Sequence, residues 1–122
     1  MTAKGPVLVV DDDEDILYSI NMALSDEGYQ VLTASDGAEA LTVVQQHAPK
    51  VILLDMRMPV MDGWQFARAY HRQPGPHAPI VVVTAARDPA ERAAEIEAED
   101  VLPKPFRIDD LLRMVSRYVD RD

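Results

Sequence analysis

Three unbroken apolar runs, Val7–Val10, Val51–Leu54 and Ile80–Val83, constrain this chain more than any other feature. Each is short and rich in aliphatic residues, and none shows the in–out alternation of a strand with one wet face. Each therefore predicts a strand covered on both sides. A run at Tyr29–Thr33 and a weaker one at Val101–Leu102 predict two more strands. Helical spacing fills the gaps. Ile16, Leu17, Ile20, Ala23 and Leu24 share one face, Ala38, Leu41 and Val44 a second, and Ile108, Leu111, Leu112, Val115 and Val119 a third. Trp64–Tyr70 and Ala90–Ile96 are less clearly patterned but stand where crossover helices are needed. The punctuation agrees: Gly28 closes the first helix, Asp36-Gly37 opens the second, Asp62-Gly63 opens the third, and Asp88-Pro89 reads as an N-cap with an N1 proline. Strands alternating with helices predict one α/β domain over residues 1–122. Its architecture is a doubly wound five-stranded parallel sheet of order 2-1-3-4-5. The stretch Arg72 to Pro79, RQPGPHAP, reads as an irregular loop.

At 122 residues the chain can bury a core without staples, and it has no cysteine for a disulfide, a thiol nucleophile or a thiolate metal site. It has neither a signal-peptide pattern nor an apolar run long enough to span a membrane, so a cytoplasmic protein with no membrane partner is expected. A formal charge of −9 argues against nucleic-acid binding by this domain and suits a divalent cation or a basic partner.

The first strand runs straight into acid, VLVVDDDEDI, Val7 to Ile16. In the expected strand order the first and third strands are neighbours, so Asp11 and Asp12 meet Asp55 at one edge of the sheet. Unit charges about 4 Å apart repel by about 4 kcal/mol at an effective dielectric of about 20. The cluster thus needs a counterion or a proton, and oxygen donors with no His or Cys nearby describe Mg²⁺. Asp13, Glu14 and Asp15 have a simpler explanation in helix capping and the helix dipole, whereas Asp11 and Asp12 exceed what capping requires. The fourth strand ends in VVVTAA, bringing the Thr84 hydroxyl to the same edge. The fifth leads into LPKPF, whose Lys104 is the only lysine past Lys50. Singly, Thr84 is a strand end and Lys104 a surface lysine; together at one edge they favour an anion site.

Four motifs in order, VVDD (Val9–Asp12), LLDMRMPVMDG (Leu53–Gly63), VVTA (Val82–Ala85) and LPKPF (Leu102–Phe106), make the chain resemble the receiver domain of two-component response regulators. The resemblance covers essentially the whole chain and implies the flavodoxin-like (βα)5 fold. It implies that Asp55 accepts a phosphoryl group from a sensor histidine kinase, a phosphotransfer protein or a small donor such as acetyl phosphate. Asp12 and Asp55 would hold Mg²⁺ with the Arg57 backbone carbonyl, and Asp11 would act mainly through water. Thr84 would bond a phosphoryl oxygen, Lys104 would pair with it, and the Lys104–Pro105 peptide would be cis. Phosphorylation adds charge and acceptor oxygens, and the change would be read at the surface of the fourth helix, fifth strand and fifth helix, also a candidate homodimer contact.

The chain departs from the family pattern in places. Val101 stands where a switching aromatic is frequent, and Glu97 stands where glycine usually ends the fourth helix, predicting a loose or remodelled end. Arg57 and Ala86 flank the expected route of water to the phosphoryl group. Tyr18 and Met22 lie opposite the first helix's core stripe, either as a kinase-docking patch or as scattered surface residues. Arg113, Arg117 and Arg121 read as a solvated basic stripe, with a homodimer contact the second reading. His47, His71 and His77 read as surface histidines, Trp64 as packing on the third helix, and Met56, Met58 and Met61 as fillers. A phosphohydrolase of the haloacid dehalogenase type also uses an aspartyl nucleophile with Mg²⁺, but it wants an acid where Arg57 stands, and a cap domain. A pseudo-receiver working without phosphate is the other alternative. The expectation is a switch that catalyses only its own phosphorylation and dephosphorylation.

Overall fold

The computed structural model describes residues 4–120. Five strands, β1 (Lys4–Val10), β2 (Tyr29–Ala34), β3 (Val51–Leu54), β4 (Ile80–Thr84) and β5 (Asp100–Pro103), alternate with five helices. These are α1 (Glu14–Asp26), α2 (Gly37–Gln46), α3 (Gly63–Arg72), α4 (Pro89–Glu95) and α5 (Ile108–Val119). The strands form one parallel sheet in the expected order, β2-β1-β3-β4-β5, with the topological switch between β1 and β3.

The unbroken apolar runs divide by parity between two cores. Leu8, Val10, Ile52, Leu54, Ile80 and Val82 share one with Ala40 of α2, Phe66 and Tyr70 of α3, and Ala93 of α4. Val7, Val9, Val51, Leu53, Val81 and Val83 share the other with Ile20 and Leu24 of α1 and Leu111, Val115 and Tyr118 of α5. Period two is present throughout; it is invisible in hydropathy because both faces are dry.

Helix starts follow the acidic punctuation. Asp13 accepts the Asp15 and Ile16 N–H groups, Asp36 accepts that of Glu39, and Asp62 and Gln65 form a reciprocal capping box. Asp88 stands at the N-cap of α4 but its side chain makes no capping bond. At the other end of α4, Glu97 adopts φ 55°, the left-handed conformation expected of a glycine position. That end is nevertheless closed rather than loose. The Glu97 N–H donates to the Ala94 carbonyl at 3.3 Å and the Ala98 N–H to the Ala93 carbonyl at 2.9 Å, the paired bonds of a Schellman motif.

Two expectations about helical faces change, and a third gains detail. Ile108 is 47% exposed, because it is the first residue of α5 and the buried stripe starts one turn later, at Leu111. The basic stripe is not simply solvated: Arg117 Nη1 lies 2.9 Å from Asp100 Oδ2 on β5, and Arg113 pairs with Asp110 at 3.5 Å. Arg121 lies outside the described residues. His71 and His77 are exposed, as expected, but they also contact one another and Tyr70 at the edge of the sheet opposite the acidic residues. Tyr18 and Met22 are exposed on α1, and no helix among the described residues is long and apolar enough to cross a membrane.

Candidate functional site

The sheet's register builds the site. Val10 pairs with Leu54, and the ladder continues one step further: the Asp55 N–H donates to the Val10 carbonyl at 2.9 Å. On the other side of β1, the Asp11 N–H donates to the Ala34 carbonyl at 3.1 Å. The residues after two adjacent strands are thus fixed by backbone bonds before any side chain is considered. One carboxylate oxygen from each of Asp11, Asp12 and Asp55 falls within 4.8 Å of the others.

Asp11 is buried, at 2% exposure, and does more than the resemblance implies. Its Oδ1 accepts the Asp13 N–H at 2.9 Å, and its Oδ2 receives the Lys104 ammonium at 3.0 Å. The same ammonium stands 3.9 Å from Asp55 Oδ1. Lys104 is carried there by its own N–H, which donates to the Thr84 carbonyl at 2.8 Å where β4 ends. Thr84 is buried, and its Oγ1 accepts the Ala86 N–H at 3.0 Å, which orients the hydroxyl. The Lys104–Pro105 peptide is cis.

The loop between β3 and α3 is pinned at both ends. The Gly63 N–H donates to the Met56 carbonyl and the Gly37 N–H to the Met61 carbonyl, each at 2.8 Å. A Cβ on Gly63 would stand 2.8 Å from the Asp55 carbonyl oxygen, so only glycine lets α3 press this closely on the site. Arg57 lies in this loop. With Asp55, Thr84, Ala85, Ala86 and Lys104 it lines an open cavity of about 380 Å³.

The electrostatics are unbalanced. Burial and the neighbouring Asp11 charge push the Asp55 carboxyl up to about 6, against the opposing pull of Lys104 and the Met56 N–H, while Asp12 raises it further. Three carboxylates cluster here, and the one ammonium, that of Lys104, lies within 3.9 Å of only two of them, Asp11 and Asp55. The donor set is all oxygen, with neither histidine nor cysteine, and one member, Asp12, is exposed to solvent. It fits a small hard divalent cation such as Mg²⁺, which keeps several waters, and does not fit zinc.

Every residue that the sequence proposes for the site lies at this one edge. What the sequence does not reveal is the Asp11–Lys104 ion pair, between residues 93 positions apart, for which no local pattern exists. Trp64, expected simply to pack, donates from Nε1 to Glu95 Oε1 of α4 at 3.0 Å, and the Arg57 guanidinium stands 5.8 Å from the centre of its ring.

Comparison with known proteins agrees with this geometry. The family model of the response regulator receiver domain matches residues 7–116. The chain belongs to that family. Among curated relatives, the response regulator MprA of Mycobacterium sp. (strain KMS) is 42% identical over 117 residues, covering 94% of this chain and 50% of its own length. The MprA of Mycobacterium leprae (strain TN) is 39% identical over the same length, with 51% of its own chain covered. The chain therefore spans about half the length of these relatives. Among solved structures, the chemotaxis response regulator CheY4 of Vibrio cholerae has a TM-score of 0.84 and 37% identity, covering 97% of this chain and 99% of its own. The receiver domain of sensor histidine kinase PA1611 from Pseudomonas aeruginosa PAO1 has a TM-score of 0.88 and 30% identity, covering 98% and 100%. That structure has a magnesium ion coordinated in its active-site cleft. Receiver domains are phosphorelay signalling switches rather than enzymes of metabolism, and they typically work with sensor histidine kinases.

Proposed function

We propose that residues 1–122 form one receiver domain in which Asp55 is the phosphoacceptor. The observation that carries this reading is the convergence of Asp11, Asp12, Asp55, Thr84 and Lys104 on one edge, beside an open cavity that Asp55 lines. In the forward step a carboxylate oxygen of Asp55 attacks the donor phosphorus. A P–O bond to Asp55 forms as the bond to the leaving group breaks, releasing acetate from acetyl phosphate, or neutral imidazole from a phosphohistidine whose second ring nitrogen already carries a proton. In the reverse step water attacks the phosphorus, the P–O bond to Asp55 breaks, inorganic phosphate leaves and the carboxylate returns.

The chain's part is positioning and charge. Lys104, held by Asp11, is placed to follow the phosphoryl oxygens, and the Thr84 hydroxyl donates to one of them. Asp11, Asp12, Asp55 and the Arg57 backbone carbonyl form the metal set. A Mg²⁺ ion held there would supply positive charge to offset the carboxylates and the phosphoryl oxygens. Arg57 and Ala86 flank the entry of water and tune the lifetime of the acyl phosphate. The exposed Tyr18 and Met22 on α1 suit a docking kinase or phosphotransfer protein in the cytoplasm, and the surface of α4, β5 and α5 carries the readout to an output partner or a second copy.

A phosphohydrolase of the haloacid dehalogenase type fits less well, since Arg57 stands where that chemistry needs an acid. The deciding experiment is intact mass after incubation with acetyl phosphate and Mg²⁺. Uptake of one phosphoryl group by the wild type and none by Asp55→Asn is expected. No uptake by the wild type would favour a phosphorylation-independent interaction module, and turnover of a generic phosphomonoester would favour the hydrolase.

A further inference from the structure

Val101 offers no large ring to swing, and the structure holds a side-chain connection on the other side of the site. Arg57 lines the cavity beside Asp55, and its guanidinium lies over the Trp64 indole. That indole donates to Glu95 Oε1. Among the described residues, this is the one side-chain hydrogen bond that α4 makes to another helix or strand. The same Glu95 oxygen lies 2.9 Å from Arg92 Nε, which is buried without hydrogen-bond geometry of its own. Arg57, Trp64, Glu95 and Arg92 thus alternate cation, aromatic ring, anion and cation from the mouth of the site to α4.

We propose that Trp64 is a positioning residue that ties α4 to the phosphorylation state of Asp55, a reading that rests on Asp55 as the phosphoacceptor. A cation over an indole face draws π density from the ring and makes its N–H a stronger donor, so Arg57 strengthens the bond to Glu95. A phosphoryl group on Asp55 brings oxygens into the cavity that Arg57 already lines. A charge-assisted bond from guanidinium to phosphate is stronger than an exposed cation–π contact. Arg57 then leaves the ring, the Trp64–Glu95 bond weakens, and α4 loses its tether to α3. The helix is built to respond: it has seven residues, no side-chain capping bond at its start, and a non-glycine residue in the left-handed conformation at its end.

Hydrogen exchange over residues 88–98, with intact mass on the same samples, tests this. In the unphosphorylated protein, Trp64→Phe and Glu95→Ala should each speed exchange of α4 by about fivefold, as expected for loss of one hydrogen bond. Arg57→Gln should speed it less, and combining it with Glu95→Ala should add nothing further. Acetyl phosphate with Mg²⁺ should speed α4 exchange in the wild type and change the emission of Trp64, the only tryptophan. In Trp64→Phe the phosphoryl group should still appear by mass with no further gain in exchange. Additive effects of Arg57→Gln and Glu95→Ala would overturn the link, as would an undiminished response in phosphorylated Trp64→Phe. A coupled pair of variants with no phosphoryl uptake would keep the Arg57–α4 link but overturn its control by phosphate, and with it the reading of Asp55.

Discussion

Asp55 follows directly on a strand paired on both edges and buried on both faces, whereas α4 is a single stretch of seven residues with no side-chain cap at its start and only Ala93 buried. The acidic edge inherits its geometry from backbone ladders, which hold carboxylates together at a cost in repulsion. The helix inherits little beyond its contact with the sheet and its bond to Trp64. The difference separates two requirements of a switch. Groups that must meet a phosphoryl donor in fixed geometry sit on the stiffest part, and the segment that must answer sits where little free energy is needed to move it.

The contrast can be broken at four points. Leu54→Ala, one residue before the acceptor, should cost about 2–5 kcal/mol in denaturant unfolding. A loss under about 1 kcal/mol would mean that the site does not rest on a tightly packed strand. Asp55→Asn should act in the opposite direction. The Asp55 carboxyl titrates at about 6 against an ordinary 3.8, so the native state holds its proton more tightly than the unfolded chain does. Stability from this group is therefore full below about pH 4, falls as pH rises towards 6, and stays reduced above it. In EDTA at pH 8 the asparagine variant should gain about 1–2 kcal/mol, after discounting for solvent at the open mouth, and the gain should vanish near pH 4. Equal gains at both pH values would remove the carboxylate's charge, buried and beside Asp11, as the cause.

The smaller effects belong to α4. Glu97→Gly should stabilise by about 1 kcal/mol in thermal unfolding by relieving the left-handed conformation, with the gain concentrated in slower exchange of α4. A loss instead would mean that the carboxylate itself holds the turn. Asp88→Ala should change stability by under about 0.5 kcal/mol, against about 1 kcal/mol for Asp62→Ala in the α3 capping box. Equal costs would mean that α4 is as well capped as α3.

Much of this was legible in advance, for reasons that differ by residue. The sheet order followed from strands alternating with helices, and Asp11, Asp12 and Asp55 followed from which strand ends that order makes adjacent. Glu97 was found because the family pattern puts a glycine at the end of the fourth helix and this chain does not, and its φ of 55° shows the position still takes the left-handed conformation. Ile108 was misplaced because helical spacing gives a stripe but not the residue at which the core begins. Tyr118 was missed because its ring fills the core while its hydroxyl reaches Asp100, which a hydropathy stripe does not register. Arg117 read as solvated because its partner lies on a strand 17 residues earlier.

The sequence by itself determined the strands, the helix starts and the chemical inventory of the acidic edge, because each depends on residues near one another in the chain or on the few topologies open to alternating elements. Only the tertiary structure decided who holds whom: Lys104 on Asp11, Trp64 on Glu95, Arg57 over the indole. Those pairings depend on distances of a few ångströms between side chains on separate elements, and nothing within either local segment encodes them.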